Sequence, residues 1–226
     1  MNLEICKFCN KRSLAAKHLG NEELERLGNN CNEVRFAKGD IIFKQNALSS
    51  NIIYIKEGLV KVHISGPERE QILKISKGPA FLGIPTTFGE KINHYSATAI
   101  NDTIVCFIDI MTFKGFIATN SEFSYEIIID LCKNEIYNFH RCVNQLQKQG
   151  PGRVADALLF FADEIFERDH IELPLLRHEF GDLTGNSREN VSRILTDFNR
   201  EGLINLNGKN IELLKKDLLR QISEKG

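Results

Sequence analysis

Seven apolar residues, Tyr125, Ile129, Cys132, Ile136, Phe139, Val143 and Leu146, follow one another at spacings of 4, 3, 4, 3, 4 and 3. A 4–3 repeat lays a narrow apolar seam along one side of an α-helix, the kind of seam that two helices bury against each other. The spacing predicts a helix over 122–149, roughly 40 Å long. A helix that only covers its own domain carries a wider apolar stripe than this. Ile127, Ile128 and Leu131 widen the stripe near the start, but after Ile136 only the seam remains. The helix is therefore expected to dock on a domain first and then to pair with a second copy of the chain through Ile129, Cys132, Ile136, Phe139, Val143 and Leu146. Gly150-Pro151-Gly152 ends it and marks a domain boundary.

The chain before the helix has β texture. Short runs rich in β-branched residues, Ile52–Ile55, Leu59–Ile64, Ile72–Ile75 and Ile104–Ile108, alternate with turn signals at Lys38-Gly39-Asp40, Glu57-Gly58, Gly66-Pro67 and Gly78-Pro79. Strands at this spacing indicate a sandwich or barrel. Val60, Val62 and Ile64 alternate with Lys61, His63 and Ser65, which predicts one buried and one wet face. A short helix is expected from near Gly20. The division predicted is an α+β chain with a β domain over 1–121, a long helix over 122–149 and a third domain over 150–226.

The third domain reads as a winged helix–turn–helix. Leu176, Phe180 and Leu183 lie on one side of a first helix. Thr184-Gly185-Asn186 makes the turn, Ser187 caps the second helix, and Gly202 ends it. Asn207-Gly208 between two apolar runs signals a hairpin. On the second helix Val191, Ile194, Leu195 and Phe198 form an apolar stripe. Arg188, Glu189, Ser192 and Arg193 gather elsewhere through i,i+4 spacing. Their chemistry suits the major groove of double-stranded DNA. Arg can bond guanine O6 and N7 together, Glu can accept from cytosine N4, and Ser can serve either side. A solvated helix face is the alternative meaning of the same residues. Net charge argues against DNA, being −1 for the whole chain. Residues 150–226 hold 11 Lys+Arg against 14 Asp+Glu. If DNA is bound, a few placed cations hold it, and the salt dependence should be shallow.

Gly185-Asn186-Ser187-Arg188-Glu189-Asn190-Val191-Ser192-Arg193-Ile194-Leu195 resembles the recognition stretch of the CRP/FNR family of bacterial transcription regulators. Arg153-Val154-Ala155-Asp156-Ala157-Leu158-Leu159 resembles the opening of that family's DNA-binding domain. The β region, with Gly39, Gly58 and Gly83, is similar to its effector jelly roll, a cyclic-nucleotide-binding-like domain. The resemblance implies a homodimer in which Arg188, Glu189 and Arg193 read a palindrome of the TGA…TCA type, with Ser192 at a position the FNR branch uses. It implies that Arg177, His178 and Lys209 position the phosphates, that the long helix dimerises, and that RNA polymerase is a partner.

The same resemblance bears on the signal. Where the cyclic-nucleotide branch places a ribose-binding Glu after Phe-x-Gly, this chain has Phe81-Leu82-Gly83-Ile84-Pro85. Where that branch has Arg-Ser for the phosphate, this chain has Tyr95-Ser96. A buried phosphate without a cation is costly, so cAMP is not expected to bind. Of the four cysteines that hold an iron–sulfur cluster in the FNR branch, Cys6, Cys9 and Cys106 have counterparts here, and Ala15 stands at the remaining position. Cys31 or His18 could replace the missing ligand, neither at the family spacing. A cluster, a zinc ion, a thiol switch and no metal chemistry at all stay open for these cysteines. Among the other histidines His63 and His94 stand alone, without the clustered ligands of a metal enzyme. No nucleophile–base set or phosphate loop is present, so an enzyme is not expected. No apolar run spans a membrane, and the start of the chain has no signal-peptide core, which makes the cytoplasm the expected compartment.

Overall fold

The computed structural model describes residues 9–226. The chain divides into two compact units, one of residues up to 67 with 73–135 and the other of residues 68–72 with 136–226. The division falls inside the long helix, not at either of its ends.

The first unit opens with helices α1 (Leu14–Lys17) and α2 (Asn21–Asn29), the latter capped at Gly20 as its sequence predicts. Strands β1 (Cys31–Phe36), β2 (Ile41–Phe43), β3 (Asn51–Glu57), β4 (Leu59–Ser65), β5 (Glu70–Lys77) and β6 (Ala80–Leu82) follow. A one-turn helix α3 (Ile84–Phe88), strands β7 (Ser96–Ala99) and β8 (Thr103–Asp109) and helix α4 (Ile110–Thr119) lead into α5 (Ser121–Gln147). The strands form two four-stranded sheets, in the orders β1-β8-β3-β6 and β2-β7-β4-β5.

The continuous apolar run in β3 has a physical reason. Ile53 and Ile55 face the second sheet; with Leu82 and Val105 of their own sheet they pack on Val60, Val62, Ala97 and Ala99. Ile52 and Tyr54 face the other way, into a core shared with Leu24, Leu27, Phe113, Phe116, Phe123 and Ile127 from the helices. A strand buried on both faces loses the alternation of a half-wet one. The alternation expected for β4 is not observed in full: His63 is buried and Ile64 half-exposed. His63 tolerates burial because its Nε2 lies 2.9 Å from the Thr98 hydroxyl on β7. Gly58, at the β3–β4 turn, has φ +103°, and a Cβ there would sit 2.7 Å from the Thr103 Cα, so only glycine fits without strain.

Helix α4 escapes sequence periodicity because it is apolar on several sides; polar caps set its start and the start of α5. The Asp109 carboxylate accepts from the Thr112 amide at 2.8 Å, and the Asn120 side-chain oxygen accepts from the Phe123 amide at 3.0 Å. Of α5, only Phe123 and Ile127 are buried.

The second unit comprises α6 (Gly150–Phe160), a π-helical turn over Phe161–Phe166, β9 (His170–Glu172), α7 (Arg177–Thr184), α8 (Arg188–Arg200), β10 (Ile204–Asn207), β11 (Asn210–Leu213) and α9 (Lys216–Lys225). The expected stripes are fully inside: Val154, Leu158, Phe161 and Ile165 on α6 and the turn after it, and Val191, Ile194, Leu195 and Phe198 on α8. Leu176 is the exception. It is the N-cap of α7 and half-exposed, while Phe180 and Leu183 are buried. The wing is a three-stranded sheet in the order β10-β11-β9. Helix α9 is an addition to the sequence expectation, fixed by Leu219 in the core and by Ser223, which donates to Asp156 at 2.9 Å. Among the described residues no helix is long and apolar enough to cross a membrane.

Candidate nucleic-acid interface and sensor cavities

In the second unit, α7 and α8 are joined by Gly185-Asn186-Ser187. Gly185 has φ +65°, and a Cβ on it would meet the Gln145 side chain at 2.7 Å. Helix α7 ends there with carbonyls that no residue of its own helix can satisfy. Three side chains supply the donors. The Arg141 guanidinium donates to the Leu183 carbonyl at 2.9 Å, and Gln145 donates to the same oxygen at 3.1 Å. Arg153 donates to Thr184 at 2.6 Å and to Gly185 at 3.2 Å. Buried Asn186 closes the turn by donating to the Thr184 carbonyl at 3.1 Å, and its side-chain oxygen accepts from Asn190 at 2.7 Å. Of these residues, only the Arg153 stretch and the turn residues stood out in the sequence. Arg141 and Gln145 gave no local signal, because their partners lie 42 and 38 residues away.

Ser187 caps α8 as expected, its hydroxyl accepting from the Asn190 amide at 3.1 Å. Arg188, Glu189, Ser192 and Arg193 are exposed together on the side of α8 opposite its buried stripe. Arg193 is already oriented: Asn190 accepts from it at 2.8 Å, and Asp197 lies 3.4 Å away. Asn190 was missed by sequence reasoning, although its i,i+3 spacing to Arg193 was the available clue. The Ser192 hydroxyl donates back to the Arg188 carbonyl at 3.0 Å. Lys209 and His178 are exposed. Arg177 is half-buried and donates to the Gly208 carbonyl at 2.6 Å, so it ties the start of α7 to the tip of the wing. Burial lowers its pKa.

The seam on α5 is unequally exposed. Ile129 is half-buried, while Cys132, Ile136, Phe139, Val143 and Leu146 face solvent. Leu146 is 80% exposed and Phe139 61%, values too high for a helix packed on its own core. Burying each such side chain against a partner is worth about 1.5–3 kcal/mol.

In the first unit, Tyr95 stands where the resemblance sought an arginine. Its hydroxyl accepts from the Gly83 amide at 3.2 Å, and its ring packs 5.7 Å from that of Phe43. The Ser96 hydroxyl accepts from the Gln45 amide at 2.9 Å. Burial raises the Tyr95 pKa against the opposing hydrogen bonds from Gly83 and Thr86, so the side chain is a neutral phenol near neutral pH.

Cys6 lies outside the described residues. Cys9, Cys31 and Cys106 line one apolar cavity of about 50 Å³. Cys31 reaches it because it sits on β1 opposite Ile108, one pleat from Cys106 on the same face. His18 is exposed and does not line the cavity. Tyr54 borders it too, and burial raises its pKa, with Cys9 and Cys106 adding to the rise. Among the described residues no group of three or more His, Cys, Asp and Glu is placed to hold a metal. The described thiols alone therefore do not fit a metal or cluster. Cys132 and Cys142 are exposed on α5.

Two family profiles match the chain: a Crp-like helix-turn-helix domain over 152–222 and a cyclic nucleotide-binding domain over 33–120. A CRP-like cAMP-activated global transcriptional regulator of Mycobacterium tuberculosis is 27% identical over 183 residues, covering 79% of this chain and 82% of that one. The transcriptional regulator LdrP of Thermus thermophilus is 28% identical over 178 residues, covering 75% and 86%. In fold, the chain is similar to FixK2 from Bradyrhizobium japonicum, with a TM-score of 0.77 at 18% identity over 85% of this chain and 96% of that one.

Replacing Arg153 by Ala withdraws the donors held by Thr184 and Gly185. The expected loss is about 2 kcal/mol or more, read as a lower denaturation midpoint with the helix content of the native state retained.

Proposed function

Because the chain belongs to the CRP/FNR family of DNA-binding transcription regulators, we propose that it works in the cytoplasm as a homodimer on a palindromic TGA…TCA-like site and engages RNA polymerase from there. One observation carries this reading. The exposed Arg188, Glu189, Ser192 and Arg193 face belongs to a helix–turn–helix braced by Arg141 and Gln145, and these two residues sit on the same helix as the exposed seam. A dimer built on that seam would present two such faces about 34 Å apart, one turn of DNA. Arg188, Glu189 and Arg193 read bases, while Lys209 and His178 position phosphates and carry no sequence information. Arg177 positions phosphates with them and also ties the wing to α7 through Gly208. No catalytic step is part of this function.

The signal is received in the first unit and is not cAMP. Tyr95 and Ser96 already spend their hydroxyls inside the protein, and Ile84 offers no carboxylate to a ribose. Titration calorimetry with cAMP is expected to give no heat of binding at micromolar nucleotide; micromolar binding would overturn this.

A second reading has a specific observation in its favour, the convergence of Cys9, Cys31 and Cys106 on one cavity. In it the signal is redox, read by thiols or by an iron–sulfur cluster or zinc ion held with Cys6, Cys9 and Cys106. Anaerobic purification followed by an absorption spectrum and iron and zinc analysis decides it. Visible absorption with bound iron supports a cluster, and stoichiometric zinc supports a zinc site. A metal-free protein whose DNA binding ignores thiol oxidants overturns the reading.

Arg188→Ala is expected to relax base preference within the half-site by about 1–3 kcal/mol, whereas Lys209→Ala weakens all sequences about equally. Competition binding with cognate and random duplexes reads the difference, and equal losses for Arg188→Ala would remove its recognition role. Phe139→Asp places a charge in the seam. It is expected to sediment as a monomer and to lose binding to the palindrome, and a variant that still sediments as a dimer would show a different interface.

A further inference from the structure

The first unit holds a cavity of about 420 Å³ lined by residues of the segment Asn10–Lys17, by Pro79, Ala80 and Phe81, and by Glu126, Ile127, Ile129, Asp130 and Lys133 of α5. Its size is within the range of small-molecule sites, about 300–1,000 Å³. The segment is fastened over it by the Tyr54 hydroxyl, which donates to the Lys11 carbonyl at 2.7 Å.

The lining has two characters. Leu14, Phe81, Ile127 and Ile129 give it an apolar wall, and Leu14 is 58% exposed with nothing yet to cover it. Lys11, Arg12, Lys17 and Lys133 line the cavity as well. Lys11, Arg12 and Lys17 make no ion pair with a described carboxylate, whereas the charge of Lys133 opposes the burial-driven rise in the Asp130 pKa. Arg12 is half-buried, the other three are exposed, and Arg12 borders the small thiol cavity as well. Two carboxylates, Glu126 and Asp130, also line the cavity. Asp130 is partly engaged by Asn134, which donates to it at 3.3 Å and in turn accepts from Lys74 at 2.8 Å. These acids oppose a phosphate dianion, while the excess of cations still favours a single negative charge.

We propose that this cavity binds a small amphiphilic monocarboxylate, its head on Arg12 and its apolar part along Leu14, Phe81 and Ile127. A guanidinium fork matches a carboxylate with two parallel bonds, and the apolar wall accepts a chain or ring but not a second charge. The site does not use Tyr95 or Ser96. Its α5 wall includes Ile129, the first interface residue of the seam, so occupancy draws the N-terminal segment onto the helix that sets dimer geometry. The ligand is thereby the signal, a step that rests on the regulator reading above.

The test is calorimetry on the full chain with decanoate and with decanol, which has the same chain length and no charge. One decanoate per chain is expected, with decanol about tenfold weaker. R12Q should bring decanoate down to the level of decanol and leave decanol unchanged. L14D, on an exposed position, should weaken both. Equal affinity for the two probes, wild-type decanoate binding by R12Q, or many molecules per chain would overturn the site. In a separate arm, anisotropy on a palindromic duplex with and without saturating decanoate reads the signal. A shift of about threefold or more in DNA affinity supports it, and an unchanged affinity overturns the signalling role. Failure of the regulator reading would appear only in the second arm, as no duplex binding at all, with the calorimetry intact.

Discussion

The end of α7 is a place where this fold had to find hydrogen-bond donors. A helix that stops inside a protein leaves carbonyls facing low-dielectric surroundings, and an orphaned one costs about 1–3 kcal/mol. Here the donors come from Arg141, Gln145 and Arg153. Two of these lie on α5 and one on the first turn of α6. The orientation of α7, and of α8 packed on it, is consequently tied to the long helix that precedes them, not only to the packing of α7 against α8. Guanidinium groups suit the task, since a planar fork holds direction as well as distance.

That bracing makes sense of an acidic DNA-binding unit. A domain that binds through a broad positive field tolerates loose geometry, because phosphates attract it from many approaches. This one has more acids than bases over 150–226. What it has instead is placement. Arg193 is held between Asn190 and Asp197, Ser187 and Asn186 lock the turn, and Arg177 fixes the wing to α7. Groups oriented before binding lose less freedom on binding, which under the proposed function would compensate in part for a weak long-range attraction.

The sequence was legible where local pattern and tertiary role coincide. The apolar stripe of α8, the glycine at Gly202, the Asn207-Gly208 hairpin and the seam on α5 all follow from period and turn chemistry, and all are in place. What escaped was set by distant partners. His63 is drawn inside by Thr98, 35 residues on. Arg177 is bonded to the wing carbonyl of Gly208, 31 residues on, a partner that local spacing does not reveal. Helix α9 is rich in charge, and its single buried Leu219 gives too little periodicity to announce it. Cys31 seemed remote from Cys106 because strand register, not spacing, sets them side by side.

The double burial of β3, shared by β8 with Val105 on one side and Cys106 and Ile108 on the other, has a further consequence, in the way the first unit comes apart. Separating either strand exposes the sandwich interior and the helix-facing core together, so partial opening gains no intermediate resting place. Local opening free energies vary across a protein, and the segments that must expose most surface exchange their amides last. The amides of Ile53, Ile55 and Val105 should therefore form the slowest-exchanging kernel of the unit. The two-residue edge between β2 and β7, with its register shift between Ile41 and Phe43, and the short helix α1 should yield first. The unit thus has a rigid centre and a yielding rim, and the segment over the larger cavity belongs to the rim.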